Sequence, residues 1–473
     1  MAHSPPIPPS AAAVPPLRTI PGSYGWPVVG PIADRLNYFW FRGPEKFFRK
    51  RMEKYKSPVF RTNVPPTFPF FAGVNPNVVM VLDCKSYAHL FDTEIADKKD
   101  TLLGDFMPSV GFNGDLRMCA YQDVLEPKHA QIKKFIMAIL KRGTKVWTTE
   151  LKVNLDEMWT TLETDISSKG SATLFSPLQH CLLKLLLKSY VGADVSETAP
   201  DLAKSGPTII NTWFALQVRP TIAINVIQPL EEIFVHSFRY PSFLARPGYN
   251  KLANFIKTQG HDVVQLGVTE YGLTEEEAIH NLLFVLAFNS FEGFTLFIPK
   301  LLTRLLSDST LQEKLRVEAR QNGGTELTFT SFKQMPLIQS FVYETLRLEP
   351  PVPTQFARAR KDFTLSSSEA SYKVKKGELL CGYQPLVMRD PTIFDDPESF
   401  KPDRFLGEKG AELLNYLYWS NGPETGSASH SNKQCAGKEY VTVTGSLFVA
   451  HLLRRYDSIS GEGSTIKAVE KAK

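Results

Sequence analysis

Between Leu282 and Pro299 the chain runs "LLFVLAFNSFEGFTLFIP", an apolar stretch interrupted by Asn289, Ser290, Glu292 and Thr295. Such a run is too apolar for a surface helix, so it belongs either in a protein core or in a bilayer. A charge near the centre of a membrane span costs about 2.5–3.5 kcal/mol even on insertion scales. We therefore expect a buried core helix and no transmembrane span. An ionised carboxylate in an apolar interior is also costly unless it is paired or neutralised, so Glu292 needs a reason to be there. Surrounding such a helix takes a large core. The chain's 473 residues, 43% hydrophobic and 22% charged, have the length and composition to build one.

Composition removes several classes. The net charge is +5 and the basic residues form no clustered stripe, which argues against a nucleic-acid partner. Five cysteines (Cys84, Cys119, Cys181, Cys381 and Cys435) make no CxxC pair, so neither a disulfide framework nor a zinc site reads well. A reduced, intracellular compartment suits them, either cytoplasmic or plastid-associated. The start, "MAHSPPIPPSAAAVPPLRTIPG", has no charged region followed by an apolar core, and it gives no clear transit signal. Residues 1–16 read as an extended, disordered Pro-rich leader. Residues 17–473 read as one catalytic domain.

That domain reads as mainly helical, with small sheets near both ends. Phe60 to Asp83 alternates β-branched and aromatic runs with Pro, Asn and Gly, as hairpin strands do. "EPKHAQIKKFIMAILKRG" puts Ile132, Phe135, Ile136, Ile139 and Leu140 on one helix face, with Gly143 as a stop. Thr274 and Glu277 form a capping-box pair ahead of the apolar run. "SFKQMPLIQSFVYETLRLEPPVP" ends its helix at a double proline, and "FTLSSSEASYKVKKGELLCGYQPLV" returns to strands. The apolar stretch from Thr208 to Phe238 packs in the core, lines substrate access or touches lipid peripherally; core packing is the preferred role.

Three short motifs occur in order. Glu344 and Arg347 stand one turn apart on a helix face, Arg404 follows in "KPDRF", and Cys435 lies in "SNKQCAGKE" before an apolar stretch. An isolated E-x-x-R pair is usually a solvated intrahelical contact, and a lone cysteine is usually a buried free thiol. The ordered set resembles the cytochrome P-450 superfamily. That resemblance implies the P-450 fold, with heme b between a long central helix and the cysteine loop. It also implies Cys435 as the axial ligand of the heme iron and Glu344, Arg347 and Arg404 as a buried structural network. A helix starting just after Cys435 should lower its thiol pKa.

Departures narrow the branch. The usual Phe and Arg before the cysteine are missing, and an enlarged loop, "YWSNGPETGSASHSNKQCAGK", stands there instead. The acid–threonine pair that handles bound oxygen is absent. "IPGSYGWPVVGP", "PPVPTQFARARKDF" and "KKGELLCGYQPLV" join that loop in resembling the plant fatty-acid-hydroperoxide enzymes. These comprise allene oxide synthases, hydroperoxide lyases and divinyl ether synthases, and the likeness is nearest to the 13-hydroperoxide-lyase subgroup. It implies a preformed peroxide substrate, with no O2 and no redox partner protein. By the same resemblance Lys98, His129, Lys133 and Lys433 bind the heme propionates. His129 and Lys133, at i and i+4, share a helix face.

The resemblance further makes Asn289 the residue that handles the hydroperoxide, unless it is a core amide satisfied by backbone. Leu102, Phe291 and Thr295 are expected in the substrate pocket. The branch normally has Gly where this chain has Glu292. A buried carboxylate with a raised pKa can accept a proton from carbon, as the water-losing reactions require and the lyase reaction does not. Alternatively, Glu292 turns away and pairs with an Arg or Lys on another helix. Allene oxide synthases tend to carry an aromatic residue where this chain has Leu102. Together these features favour a divinyl ether synthase. Hydroperoxide lyase is the alternative, and an allene oxide synthase, a heme-binding carrier or a monooxygenase fits less well.

Overall fold

The computed structural model describes residues 16–65, 74–218, 230–236, 240–322 and 327–472. The expected leader, apart from Pro16, lies outside them, as does the middle of the 208–238 stretch. The expected mainly helical fold with small sheets is what is found: long helices pack around one large core, and the sheets sit at its margins. The 60–83 reading holds as an antiparallel hairpin, with Val59 opposite Val81 and Asn63 opposite Asn77. This hairpin forms one edge of a five-stranded sheet. Its remaining strands, in spatial order, are Leu379–Tyr383, Thr354–Ala359 and Ala96–Asp97.

The apolar run forms the middle of a continuous helix, Glu275–Leu306, long and apolar enough to cross a membrane by length and composition. Most of its apolar window is instead buried within the fold. Its N-terminus carries the expected capping box: the Glu277 N–H donates to Thr274 Oγ1 at 3.1 Å, and the Thr274 N–H donates to the Glu277 carboxylate at 2.8 Å. From Phe284 to Phe291 the helix widens to π geometry, and it narrows again at Glu292. Insertions of this kind are uncommon and collect at functional sites.

Gly143 does not stop its helix. That helix runs unbroken from Pro127 to Lys169 and ends at Gly170, which takes the left-handed conformation (φ 76°) that favours glycine. The role of Gly143 is proximity. A Cβ there would stand 3.1 Å from the Ser189 carbonyl oxygen, so only glycine lets the two segments approach this closely. Period and residue type could not separate a terminus from a crossing point, because glycine serves both.

The helix Pro336–Leu348 ends before the double proline, as expected, and places Glu344 and Arg347 in the interior with neither accessible to solvent. Arg347 donates to Glu344 through Nε and Nη2 at 2.7 and 2.8 Å. Arg404 Nε reaches both Glu344 oxygens at 3.0 Å, and the Lys401 N–H adds a bond at 2.9 Å. The remaining guanidinium donors go to the carbonyls of Met388, Pro397, Ser399, Asp395 and Asp396. Every charge is answered, so the cluster fastens the 388–404 segment to the helix at tolerable desolvation cost.

Candidate active site

The segment after this network leads to the cysteine loop. A two-residue hairpin, Tyr418–Trp419 against Gly422–Pro423, turns the chain. The Cys435 N–H then donates to the Ser420 carbonyl at 3.0 Å. Gln434 fills the loop's interior, with Nε2 on the Pro423 carbonyl at 2.6 Å; a Cβ at Gly422 or Gly426 would meet its side chain at 2.8 Å. Glu424 ties the loop down by accepting from Tyr343 and Trp419. Three residues past Cys435 the helix Lys438–Arg455 begins.

Cys435 borders a cavity of about 650 Å³, whose wall across the fold includes Asn289, Glu292 and Gly293. Asn289 is exposed to this space, and no hydrogen bond holds its amide among the described residues. It is therefore not a core amide satisfied by backbone. Glu292 is 5% exposed, its Oε1 finds no partner, and no cation among the described residues pairs with it. Burial alone raises its pKa to about 7. Leu102 lies on the cavity wall, whereas Phe291 and Thr295 do not. Phe291 is fully buried in the core, and Thr295 is buried with its hydroxyl unpartnered.

The four basic residues expected to hold propionates converge on the same cavity. Lys98 Nζ donates to the Phe356 carbonyl at 2.5 Å. Lys433 Nζ donates to the carbonyls of Cys119, Ala120 and Gln122 at 2.8, 3.2 and 2.8 Å. Lys133 donates to the Gln434 carbonyl. His129 is fully buried, and neither ring nitrogen meets a partner in good geometry. Burial, then mutual repulsion with Lys433, lowers Lys98 to about 7; burial lowers Lys433 to about 8. His129 falls to about 4 through burial and its two lysine neighbours, so its imidazole is neutral at physiological pH. Asp123, which accepts from the Lys98 N–H at 2.8 Å, is already held by Arg360 at 2.7 Å. A desolvated, self-repelling set of donors around a large cavity fits a ligand with two carboxylates, and heme is such a ligand.

One expectation about the cysteine is corrected. The Gly437 and Lys438 N–H groups, with the charges of Lys133 and Lys438, do pull the Cys435 thiol down, but burial outweighs them and its pKa is raised. The helix start helps, and a bound iron would supply the remaining stabilisation of the thiolate, as metals do for coordinating thiols. No sequence pattern marks the carbonyls that receive the lysines, nor Tyr190 on the cavity wall, whose hydroxyl lies 3.0 Å from Ser290 Oγ. Backbone acceptors and partners a hundred positions apart leave no local pattern.

A cysteine at a helix start, a buried Glu–Arg–Arg network and a cationic cavity define a heme-thiolate protein. The comparisons agree. The cytochrome P450 family model matches residues 262–472. The chain is 58% identical to the chloroplastic linolenate hydroperoxide lyase of Arabidopsis thaliana, covering 100% of this chain and 96% of that protein. It is 57% identical to the chloroplastic fatty acid hydroperoxide lyase of Solanum lycopersicum, covering 99% and 100%. To the chloroplastic allene oxide synthase of Linum usitatissimum it is 40% identical, over 98% and 86%. This chain therefore belongs to the cytochrome P450 family, in the branch of hydroperoxide lyases and allene oxide synthases, and its cofactor is heme.

Proposed function

We propose that this protein rearranges fatty acid 13-hydroperoxides, linolenic or linoleic, to divinyl ethers with loss of water. The reading includes no O2 and no reductase, a place in oxylipin biosynthesis and, from the relatives' printed names, plastid association. Those names favour the other product: relatives at 57–58% identity are called hydroperoxide lyases. The observation that carries the ether reading is Glu292, an unpaired buried carboxyl on the cavity wall with a pKa near 7, in the same helix as the open amide of Asn289.

Heme bound through Cys435 supplies scission of the peroxide O–O bond. The chain's own residues do the rest. Asn289 can both donate to and accept from the hydroperoxide oxygens, because no group among the described residues holds its amide. The wall around it, with Leu102, Phe284, Val285, Phe288 and Leu346, is apolar and excludes water from the fatty chain. Near neutral pH, Glu292 has an accessible ionised fraction that takes a proton from carbon. That proton and the substrate's hydroxyl leave together as water, and the carbon–oxygen rearrangement is kept as an ether. A lyase needs no such acceptor, since its hydroxyl returns to carbon as a hemiacetal that falls apart into two aldehydes.

The test is to incubate the holoprotein with one pure 13-hydroperoxide and identify the products by mass. A product lighter than substrate by one water that persists in water supports the ether reading, a ketol of the substrate's own mass replaces it with an allene oxide, and two short-chain aldehydes replace it with the lyase reading. Glu292→Gly is expected to shift products from ether toward hemiacetal-derived aldehydes. An unchanged profile would remove the role of Glu292.

A further inference from the structure

The π turn of the central helix is matched by a second one. Leu187–Val191, at the end of the helix that begins at Phe175, is also π-helical, and it closes with Gly192 (φ 95°). The Gly192 N–H reaches back to the carbonyls of Leu187 and Lys188, both at 3.1 Å. Tyr190 stands in this turn, 2% exposed, and its hydroxyl lies 3.0 Å from Ser290 Oγ in the turn of the central helix. Two uncommon helical insertions are thus joined side chain to side chain at Ser290, with Asn289 one residue before it and Glu292 two residues after it.

Tyr190 is itself fixed. Its ring packs on Trp147 with centroids 5.8 Å apart, and Trp147 is anchored by Nε1 on Thr444 Oγ1 at 2.9 Å. The preceding residue, Ser189, meets the long helix at Gly143, where no side chain separates the backbones. A π turn exchanges i→i+4 bonds for i→i+5 bonds, as when the Glu292 N–H reaches the Ala287 carbonyl. Relaxing it to α geometry would rotate every later residue about the helix axis, Glu292 included.

We infer that Tyr190 is a positioning residue for the reaction: through Ser290 it holds the central helix in π register, and that register directs Asn289 and Glu292 into the cavity. This deepens the proposed function, and it rests on that reading only in assigning Asn289 and Glu292 to the chemistry.

Tyr190→Phe keeps the ring on Trp147 and removes only the hydroxyl; Ser290→Ala removes the other partner. Both, and the double variant, are assayed as holoproteins by the rate at which conjugated-diene hydroperoxide disappears. Each single change is expected to lower kcat about tenfold with KM within about twofold, with heme content and Soret position unaltered. The double variant is expected to be no slower than the slower single one. Single variants with the parental rate, or a double variant slowed by the product of the two single effects, overturn the inference. Should Tyr190→Phe fail to load heme, Ser290→Ala is compared with Ser290→Thr, which restores a hydroxyl. Recovery of most of the rate in Ser290→Thr supports the inference, and equal loss in both overturns it. Because the readout is hydroperoxide consumed, a parent that made aldehydes instead of ether would defeat the product reading and leave this test intact.

Discussion

Two regions of this molecule bury charge, and they treat it in opposite ways. Around Glu344 the carboxylate and both guanidiniums find complementary partners, with contacts of 2.7 to 3.0 Å joining the arginines to the acid. Around the cavity, Lys98, Lys133 and Lys433 crowd together and lean on carbonyls, His129 is held neutral beside them, and across the space Glu292 has no cation partner among the described residues. The first arrangement is complete as it stands and serves the fold. The second is incomplete by itself, and its groups have displaced pKa values because they are desolvated without compensation. Buried charge that is answered marks structure here; buried charge left open marks the place where a ligand and chemistry belong.

The largest effect is expected from breaking the complete side. Glu344→Ala leaves two arginines buried without their anion, which should cost about 3–5 kcal/mol and appear as a lower Tm and a poor yield of heme-loaded protein. A parental Tm would show that the network does not support the fold.

The open side should respond with the opposite sign. The Glu292 carboxyl is raised from an unfolded value of 4.5 to about 7. Between those values the native state binds more protons than the unfolded state, so stability falls as pH rises through this window, and the full penalty stands above pH 7. It amounts to about 3 kcal/mol. Glu292→Gln should therefore raise the Tm of the heme-free protein at pH 8 and leave it unchanged at pH 4. The same substitution should reduce ether formation. For the parent, ether formation should fall as pH drops below about 7, because a protonated carboxyl accepts nothing. A Gln variant less stable than the parent at pH 8 would mean that Glu292 has a partner in solution.

His129→Leu tests the cationic wall. Losing one hydrogen bond to a propionate should speed heme loss about tenfold, measured as transfer to a scavenging apoprotein. The heme-free chain should not be destabilised, since the imidazole is neutral and makes no hydrogen bond of good geometry there. The smallest effect is expected at Gly143. Alanine gains helix propensity but places its Cβ 3.1 Å from the Ser189 carbonyl oxygen, a net cost of about 1 kcal/mol in Tm measurements.

Much of this was legible in the chain. The capping box at Thr274, the helix end before Pro350 and the 59–81 hairpin follow from local chemistry that needs no distant partner. The E-x-x-R, Arg404 and Cys435 motifs gave the family because their order is itself a pattern. Other features were not legible. Gly143 read as a stop, because a glycine at a crossing and a glycine at a terminus look alike. Phe291 and Thr295 are expected on the cavity wall near Asn289 and both lie buried off it, since a π turn shifts the angular phase that an α-helical count assumes. Cys435 was expected to have a lowered pKa, but only the folded environment reveals that burial outweighs the helix start.

What the sequence determined by itself is the set of groups present: a thiol, a buried acid, four basic side chains and an amide, ordered along helices whose starts and stops are local matters. What the tertiary structure decided is which of those groups are satisfied. That depends on desolvation and on partners brought from distant positions, as Arg404 is brought to Glu344 and Tyr190 to Ser290. Electrostatic balance inside a protein is a property of a volume, and a linear chain has none until it folds.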